Sequence, residues 1–322
     1  TADEIRATRI EGHFAGAPEN ADLIWRREPD PSRRLALLLA GEVQVANALD
    51  FHGSKALEGS AATRHEYLSP VAIIYLLNAA RGPLADARVR RALSLALDRP
   101  KLIADVVAGA ARPLPGFVSP AHFGAGSGAG AARDLAAARA LLAEAGHGAG
   151  LTLDVDCPTR LPDEAERLTA CLGDQLADIG VRLNVHLHHD REAYAHMVRR
   201  KEIRDLCVFD SSPMSTFRVL FEKIDARVHG AWWQGYHNPA VEALIDRGRV
   251  TPDRAARAAI YAEAYAELQR DPPWLTLYNP LRVIGLAGAH ADFAMPADGF
   301  LDAARVAAVG GCRGGQGRIR GC

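Results

Sequence analysis

An acidic side chain ends one of the most apolar runs of the sequence. Asp210 follows Leu206–Phe209, a short run typical of a central parallel strand, and Ser211 begins the segment that breaks the chain there. In open α/β sheets, ligands gather outside the carboxyl ends of the strands. A carboxylate there suits an ammonium group or a metal ion, so we predict that Asp210 and Ser211 bind ligand. The alternative is that Asp210 only caps the following turn.

Three large aromatic residues share one glycine-flanked loop, although only 6% of the sequence is aromatic. They are Trp232, Trp233 and Tyr236. Exposed aromatic side chains are costly unless they contact something, which favours ligand stacking or the closure of two lobes. We therefore include all three in the predicted ligand-binding set. The alternative is that they pack the loop against the core.

The histidine cluster does not predict a metal site. His186 and His188 lie two positions apart on a predicted strand, beside His189, and share one face, a spacing that can hold a metal. Val185 and Leu187 point the other way, so we expect the histidines to face solvent or the ends of neighbouring strands. No metal ligand is predicted.

Catalytic signatures are absent from the sequence. Motifs such as H-E-x-x-H, G-x-x-x-x-G-K-[ST] and G-x-S-x-G do not occur, and the glycine-rich segment 124–130 follows a proline-containing loop rather than a strand. The five cysteines form no C-x-x-C pair, and Cys157, Cys171 and Cys207 are predicted to be small core residues. The sequence therefore predicts no enzyme and no cofactor.

Strands and helices alternate in a pattern typical of the α/β class. Leu151–Val155 and Val181–Leu187 alternate apolar with polar residues, and a helix over 163–179 separates them, which predicts two parallel strands with a right-handed crossover. Val71–Leu77 is continuously apolar, as in a strand buried on both faces, and Trp274–Tyr278 predicts a last strand. Predicted helix caps are Asp86, Asp190, Asn238 and Thr251.

The length is enough for two lobes of ordinary domain size, and the composition is ordinary for a soluble globular protein. The chain has 322 residues, 48% of them apolar, and a net charge of −1, which indicates neither nucleic acid nor a membrane surface as partner. No apolar run is long enough to span a bilayer. The first residues have no signal-peptide pattern and no initiator Met, so we expect a processed or truncated amino terminus.

Several segments, in order, resemble the peptide/nickel-binding family of ABC-importer solute-binding proteins. That family's string D-x-R-V-R-x-A-L-x-x-A-L/I-D-R is matched by Asp86–Arg99. Further matches within residues 5–308 are Arg33–Val43, Ala138–Gly146, Gln175–Val181, Asn238–Ile245 and Asp271–Tyr278. Two departures are the missing amino-terminal portion of the family and Phe209 before Asp210, where the family often has Trp.

The resemblance implies a clamp rather than an enzyme. It implies a two-lobe fold of the type II periplasmic-binding-protein kind with mixed or parallel sheets, and it aligns Asp210 with the aspartate that meets the free amino group of a peptide. The implied partners are a small-molecule or short peptide ligand and an ABC permease and ATPase, with no nucleic acid. The implied protein is a monomer in the periplasm, or lipid-anchored outside a Gram-positive cell.

The expected lobes follow from the same resemblance. They are residues 1–77 for a partial first lobe, 78–275 for a second α/β lobe, 276–308 for a return to the first lobe and 309–322 for a disordered tail. Ligand is expected between the lobes, and Val71–Leu77 is expected to lie exposed where the first lobe is incomplete. Two alternatives stay open: a nickel or metal-chelate binder of the same family, and the sensor domain of a transcription regulator.

Overall fold

A computed structural model of the chain describes residues 3–14, 20–126, 132–159, 162–211, 215–288, 293–296, 298–301 and 318–321. The strands are β1 (Glu4–Thr8), β2 (Asp22–Arg26), β3 (Val45–Leu49), β4 (Ala62–Leu68), β5 (Ala72–Leu77), β6 (Ala111–Pro113), β7 (Leu151–Pro158), β8 (Val181–His188), β9 (Leu206–Ser211), β10 (Trp274–Ala287) and β11 (Arg318–Gly321). The helices are α1 (Pro31–Leu39), α2 (Ala87–Ala96), α3 (Arg99–Val107), α4 (Leu135–Glu144), α5 (Ala165–Ala177), α6 (Arg191–Arg199), α7 (Thr216–Val219), α8 (Pro239–Val250) and α9 (Arg254–Arg270). Within these ranges no helix is both long and apolar enough to cross a membrane.

The chain divides into two compact units. The first contains Thr1–Tyr67 and Leu281–Cys322, and the second contains Leu68–Pro280. In the first unit, β1 pairs antiparallel with β2, β3 pairs antiparallel with the later part of β10, and β11 lies parallel to β2. The tail predicted over 309–322 lies outside the described residues except for β11.

The sheet of the second unit is mixed. Its strand order is β10-β5-β9-β7-β8, with β5 antiparallel to both of its neighbours and β7 parallel to β9 and β8. The predicted strand–helix–strand unit is confirmed, because β7, α5 and β8 follow one another and the two strands are parallel. β9 is central as predicted, but it is parallel to only one neighbour.

Strand β5 separates the two cores of the second unit. Its alternate residues Ile73, Tyr75 and Leu77 pack into a cluster with α2 to α5, and Ala72, Ile74 and Leu76 pack into another with α6 to α9. All six residues are buried. The expectation that this segment lies exposed is therefore wrong, because helices of its own unit cover both faces.

The segment that matches the family string joins α2 and α3 to the neighbourhood of β10. Arg90 is 4% exposed, donates from Nε to the Pro272 carbonyl at 3.0 Å and pairs with Asp271. Arg99 is also buried and donates from Nε to the Thr276 carbonyl at 2.6 Å. Burial lowers the pKa of Arg99 to about 10, so it stays charged at neutral pH. Both arginines are structural.

Most of the predicted helix caps are confirmed. The side chains of Asp86, Asp190 and Asn238 each accept a hydrogen bond from a backbone N–H in the first turn of their helix. The cap predicted at Thr251 is wrong. Asp253 caps α9 instead, accepting a backbone N–H at 2.7 Å, whereas the Thr251 hydroxyl donates to a carbonyl of the preceding helix.

The three described cysteines behave as small core residues, as predicted. Cys157 and Cys207 are buried and Cys171 is partly buried, and all three are free thiols. Burial raises the pKa of each, most strongly that of Cys207. The thiols therefore stay protonated at neutral pH, where they are poor nucleophiles.

Candidate functional site

The predicted ligand residues Asp210 and Ser211 end the central strand β9. Asp210 lies opposite Ile73 of β5, and Ser211 lies opposite Ala72. Because successive side chains of a strand alternate, Ser211 shares a face with Phe209 while Asp210 lies on the other face. Asp210 is partly buried, and in the described part of the chain its carboxylate accepts no hydrogen bond and forms no direct ion pair.

A buried lysine lies beside these two residues. The Nζ of Lys223 donates to the Ser211 hydroxyl at 2.9 Å, and both residues are buried, at 9% and 2% exposed. Burial lowers the pKa of Lys223 to about 8, and the negative charge of Asp210 opposes part of that shift. The Ser211 oxygen thus accepts from an ammonium, and its own proton remains available to an acceptor.

Trp232 packs against β9. Its ring centroid is 4.5 Å from that of Phe209, and the guanidinium of Arg199 lies 5.4 Å from it on the ring face. Tyr194 stacks on Phe209 at 6.3 Å. The structure therefore joins Trp232 to the face of β9 that also carries Ser211, in a partly buried aromatic row.

Trp233 and Tyr236 make different contacts from those of Trp232. The Nε1 of Trp233 donates to the Tyr236 carbonyl at 2.6 Å, and its ring stacks on His229 at 4.5 Å. Tyr236 is 3% exposed, and the Arg90 guanidinium lies 5.7 Å from its ring centroid. Tyr236 thus belongs to the core of the second unit, and a role for it in ligand contact stays a prediction.

The loop that carries these aromatic residues is fixed by backbone contacts. The Ala79 N–H donates to the Gln234 carbonyl at 2.8 Å, and the Gln234 side chain donates to the Val198 carbonyl at 2.8 Å. Gly235 has a φ of +84°, and a Cβ there would lie 2.4 Å from the backbone nitrogen of Ala80. Only glycine therefore fits at position 235. These contacts fix the loop, and with it Trp232, against the rest of the second unit.

The histidines of β8 pair with carboxylates of β7. His186 lies 2.7 Å from Asp154, and His188 lies 2.8 Å from Asp156. Hydrogen bonds from His186 and Asn184 lower the pKa of Asp154. Among the residues that the structure describes, no group of three or more His, Cys, Asp or Glu side chains could hold a metal ion.

Lys223 is the residue of this site that the sequence analysis missed. A signal for it exists, because Lys223 lies four positions after Val219 and three after Leu220, both of which are buried. That spacing puts the lysine on the buried face of a helical turn. A lysine on such a face needs a partner, which here is the Ser211 hydroxyl.

Glutathione-binding proteins are among the curated relatives of this chain. The chain is 26% identical over 293 residues to the glutathione-binding protein GsiB of Pectobacterium atrosepticum, covering 85% of this chain and 55% of the relative. It is 25% identical over 320 residues to GsiB of Escherichia coli strain K12, covering 92% and 60%. The chain thus spans somewhat over half the length of these relatives.

Solved structures share the fold. HbpA2 from Haemophilus parasuis superposes with a TM-score of 0.80 at 21% identity, covering 93% of this chain and 60% of that protein. The oligopeptide-binding protein AppA from Bacillus subtilis, in complex with a nonapeptide, superposes with a TM-score of 0.73 at 19% identity, covering 95% and 64%. The predicted α/β fold of the type II periplasmic-binding-protein kind is confirmed.

The sequence of the chain also matches one protein family. Its sequence pattern, described as the middle part of bacterial extracellular solute-binding proteins, family 5, matches residues 2–218. That match covers more than half of the chain. The chain belongs to family 5 of the bacterial extracellular solute-binding proteins.

Proposed function

We propose that this chain is the ligand-binding part of an ABC importer and that it holds a short peptide or peptide-like solute. The observation that carries the proposal is the partly buried carboxylate of Asp210, which ends a central strand and has no direct partner among the described residues. The ammonium group of a ligand could form an ion pair with this carboxylate. Membership of a solute-binding family supports the same role.

The relatives narrow the class of solute. GsiB is named for glutathione, a tripeptide-sized molecule with a free amino group, and AppA was solved with a nonapeptide. We therefore propose a ligand whose free amino terminus meets Asp210 and whose body reaches round the end of β9 to Ser211 and Trp232 on the other face of the strand. A permease and an ATPase are the proposed partners, and the periplasm or the outer face of the cell is the proposed location. The proposal includes no enzymatic activity.

The test is calorimetric titration of the protein as its host produces it, with glutathione, trialanine and N-acetyl-trialanine. Removing one partner of a poorly hydrated charge pair costs roughly 2–5 kcal/mol, which is on the order of 30- to 5,000-fold in affinity. We expect Asp210→Asn to weaken the free-amine ligands by that order. We also expect the wild type to bind the acetylated peptide poorly.

A matched control is Glu222→Gln, which removes the same charge from an exposed carboxylate that pairs with Arg218. It should leave affinity within about threefold, since exposed pairs are worth little. If Asp210→Asn binds the free-amine ligands within about threefold of wild type, well under 1 kcal/mol, the amine role of Asp210 fails.

A further inference from the structure

The second unit contains a cavity that is separate from the residues proposed above. Its volume is about 340 Å³, near the lower end of the roughly 300–1,000 Å³ of small-molecule sites. It lies among α7, α8, α9 and the loop before residue 124. Its lining residues are His122, Phe123, Ser215, Thr216, Phe217, Gly248, Arg249, Arg257 and Tyr261.

Flat aromatic walls shape the cavity. Tyr261 lies between two glycines: a Cβ on Gly124 would come within 2.4 Å of its ring, and a Cβ on Gly248 within 2.9 Å. Phe123 meets Tyr261 edge to face at 6.2 Å, and Phe217 stacks on Phe221 at 5.4 Å. Both glycines therefore leave room for the Tyr261 ring. The aromatic rings that line the cavity are held in place by packing against their neighbours.

The charges that line the cavity are positive. Arg249 and Arg257 contribute two guanidinium groups, and no carboxylate is among the described residues that line the cavity. Arg257 is held in place, because it donates to the Thr251 carbonyl at 3.1 Å and lies 5.3 Å from the Phe123 centroid. Arg254 adds a third guanidinium, 4.2 Å over the same ring.

The nearby carboxylates are bonded to other arginines, although the charge of Arg249 helps to lower the pKa of Asp246. On α8, Asp246 pairs with Arg227 at 2.8 Å, and on α9, Glu263 pairs with Arg247 at 3.1 Å. In the described ranges Arg249 itself forms no ion pair, and its side chain is exposed at the cavity. The cavity therefore has an excess of positive charge beside its aromatic walls.

Hydroxyl groups complete the lining. Thr216 donates to the Phe123 carbonyl at 2.6 Å, which ties α7 to the loop. The Ser215 hydroxyl oxygen accepts from the backbone N–H of Arg218 at 3.2 Å, so the hydroxyl proton is available to an acceptor in the cavity. A guanidinium and a hydroxyl that both donate are the groups that recognise an oxyanion.

We propose that this cavity is a second ligand site, which takes a small carboxylate with a flat aromatic body. The ring would lie among Phe123, Phe217 and Tyr261, and the carboxylate would meet Arg249 and Arg257. The proposal does not rest on the peptide-binding role, because no residue of the cavity belongs to the group at the end of β9.

The test compares phenylacetate with phenylacetamide, which has the same ring and nearly the same shape but no charge. In calorimetric titrations of the chain at low salt, we expect phenylacetate to bind roughly tenfold or more tightly than phenylacetamide, because charge-assisted hydrogen bonds are about twice as strong as neutral ones. Arg249→Gln should weaken phenylacetate roughly fivefold.

Arg247→Gln is the matched control, since Arg247 is on the same helix but pairs with Glu263 outside the cavity. It should leave phenylacetate binding within roughly twofold, and so should Asp210→Asn. Thermal melting shows that each variant is folded. Equal affinity for the acid and the amide, no binding of phenylacetate, an unchanged affinity in Arg249→Gln, or inorganic phosphate bound as tightly as phenylacetate would each overturn the proposal.

Discussion

The segment Asp86–Arg99 and the end of β9 both hold charged side chains in the second unit, and they differ in how those charges are paired. Arg90 is buried and bonded to three backbone carbonyls and Asp271, and Arg99 is buried against the Thr276 carbonyl. Asp210, by contrast, is partly buried and has no direct partner in the described part of the chain.

This difference separates structural charges from charges that can serve a ligand. A buried charge is tolerated when hydrogen bonds and an opposite charge replace its hydration. Arg90 meets that condition within the chain, so a ligand could add nothing to it. Asp210 meets it only in part, because the charge of Lys223 acts on it but its carboxylate has no direct hydrogen bond or ion pair within the described residues. The ammonium of a ligand would therefore stabilise it further. The segment Asp86–Arg99, by which the family is most easily recognised, therefore stabilises the fold. The proposed binding role belongs to the end of β9, whose sequence is less distinctive.

The largest effect should follow from removing Arg90. Arg90→Ala removes the donor to three backbone carbonyls and the ion-pair partner of Asp271, which keeps only its hydrogen bond from Asn238. Breaking a buried pair in this way costs roughly 3–5 kcal/mol. Urea unfolding followed by circular dichroism should show a lower midpoint with a loss of that size. Part of the loss is packing, because the guanidinium also lies 5.7 Å from the Tyr236 ring.

Arg91→Ala is the control for that measurement. Arg91 is the next residue of the same helix and is exposed, so its loss should change the unfolding free energy by less than about 0.5 kcal/mol. If the two variants unfold at the same urea concentration, the pairing of Arg90 is not structural and the contrast with Asp210 disappears.

Patterns of apolar residues along the sequence predicted those strands and helices that depend mainly on neighbouring residues. The alternation in β7 and β8 and the helical spacing between them predict a parallel pair, and the structure has it. The strand end at Asp210 also follows from a short apolar run. The cap of α9 was missed by two residues because Thr251 and Asp253 are both good capping residues, and only the path of the turn decides between them.

The features that the sequence did not predict depend on contacts between residues that are far apart in the chain. Arg90 and Pro272 are 182 positions apart, and Arg99 and Thr276 are 177 apart, so no local pattern reveals that these arginines are buried. The Lys223–Ser211 bond joins two segments across a break in the strand–helix pattern. The cavity near Tyr261 depends on two glycines 124 positions apart, Gly124 and Gly248.

A smaller, pH-dependent effect should follow from Lys223→Met, which keeps an unbranched side chain and removes the charge. Burial lowers the pKa of Lys223 from 10.5 to about 8 in the folded chain. The unfolded chain therefore binds more protons between these pH values, and the wild type should gain stability relative to the variant as the pH rises through them. The gain should reach up to roughly 3 kcal/mol, read from urea midpoints at several pH values.

Lys101→Met provides the comparison for this titration. Lys101 is exposed and pairs with Asp105, which raises rather than lowers its pKa, so no such gain is expected between pH 8 and 10.5. A flat difference between wild type and Lys223→Met over the same range would mean that the ammonium is hydrated and that the end of β9 is open to water.

The smallest effect on stability should come from Asp210→Asn, although its effect on binding is expected to be large. The carboxylate has no direct partner in the described residues, so its loss should change the free energy of unfolding by less than about 1 kcal/mol. Asp225→Asn is the same substitution at a carboxylate that is 1% exposed and bonded to Arg227 at 2.7 Å, and it should cost roughly 1.5–3 kcal/mol. Urea unfolding of the wild type and both variants without ligand measures these two changes in the free energy of unfolding. A loss above about 2 kcal/mol in Asp210→Asn would place Asp210 with Arg90 among the structural charges. A small loss together with weakened ligand binding would place it in the site.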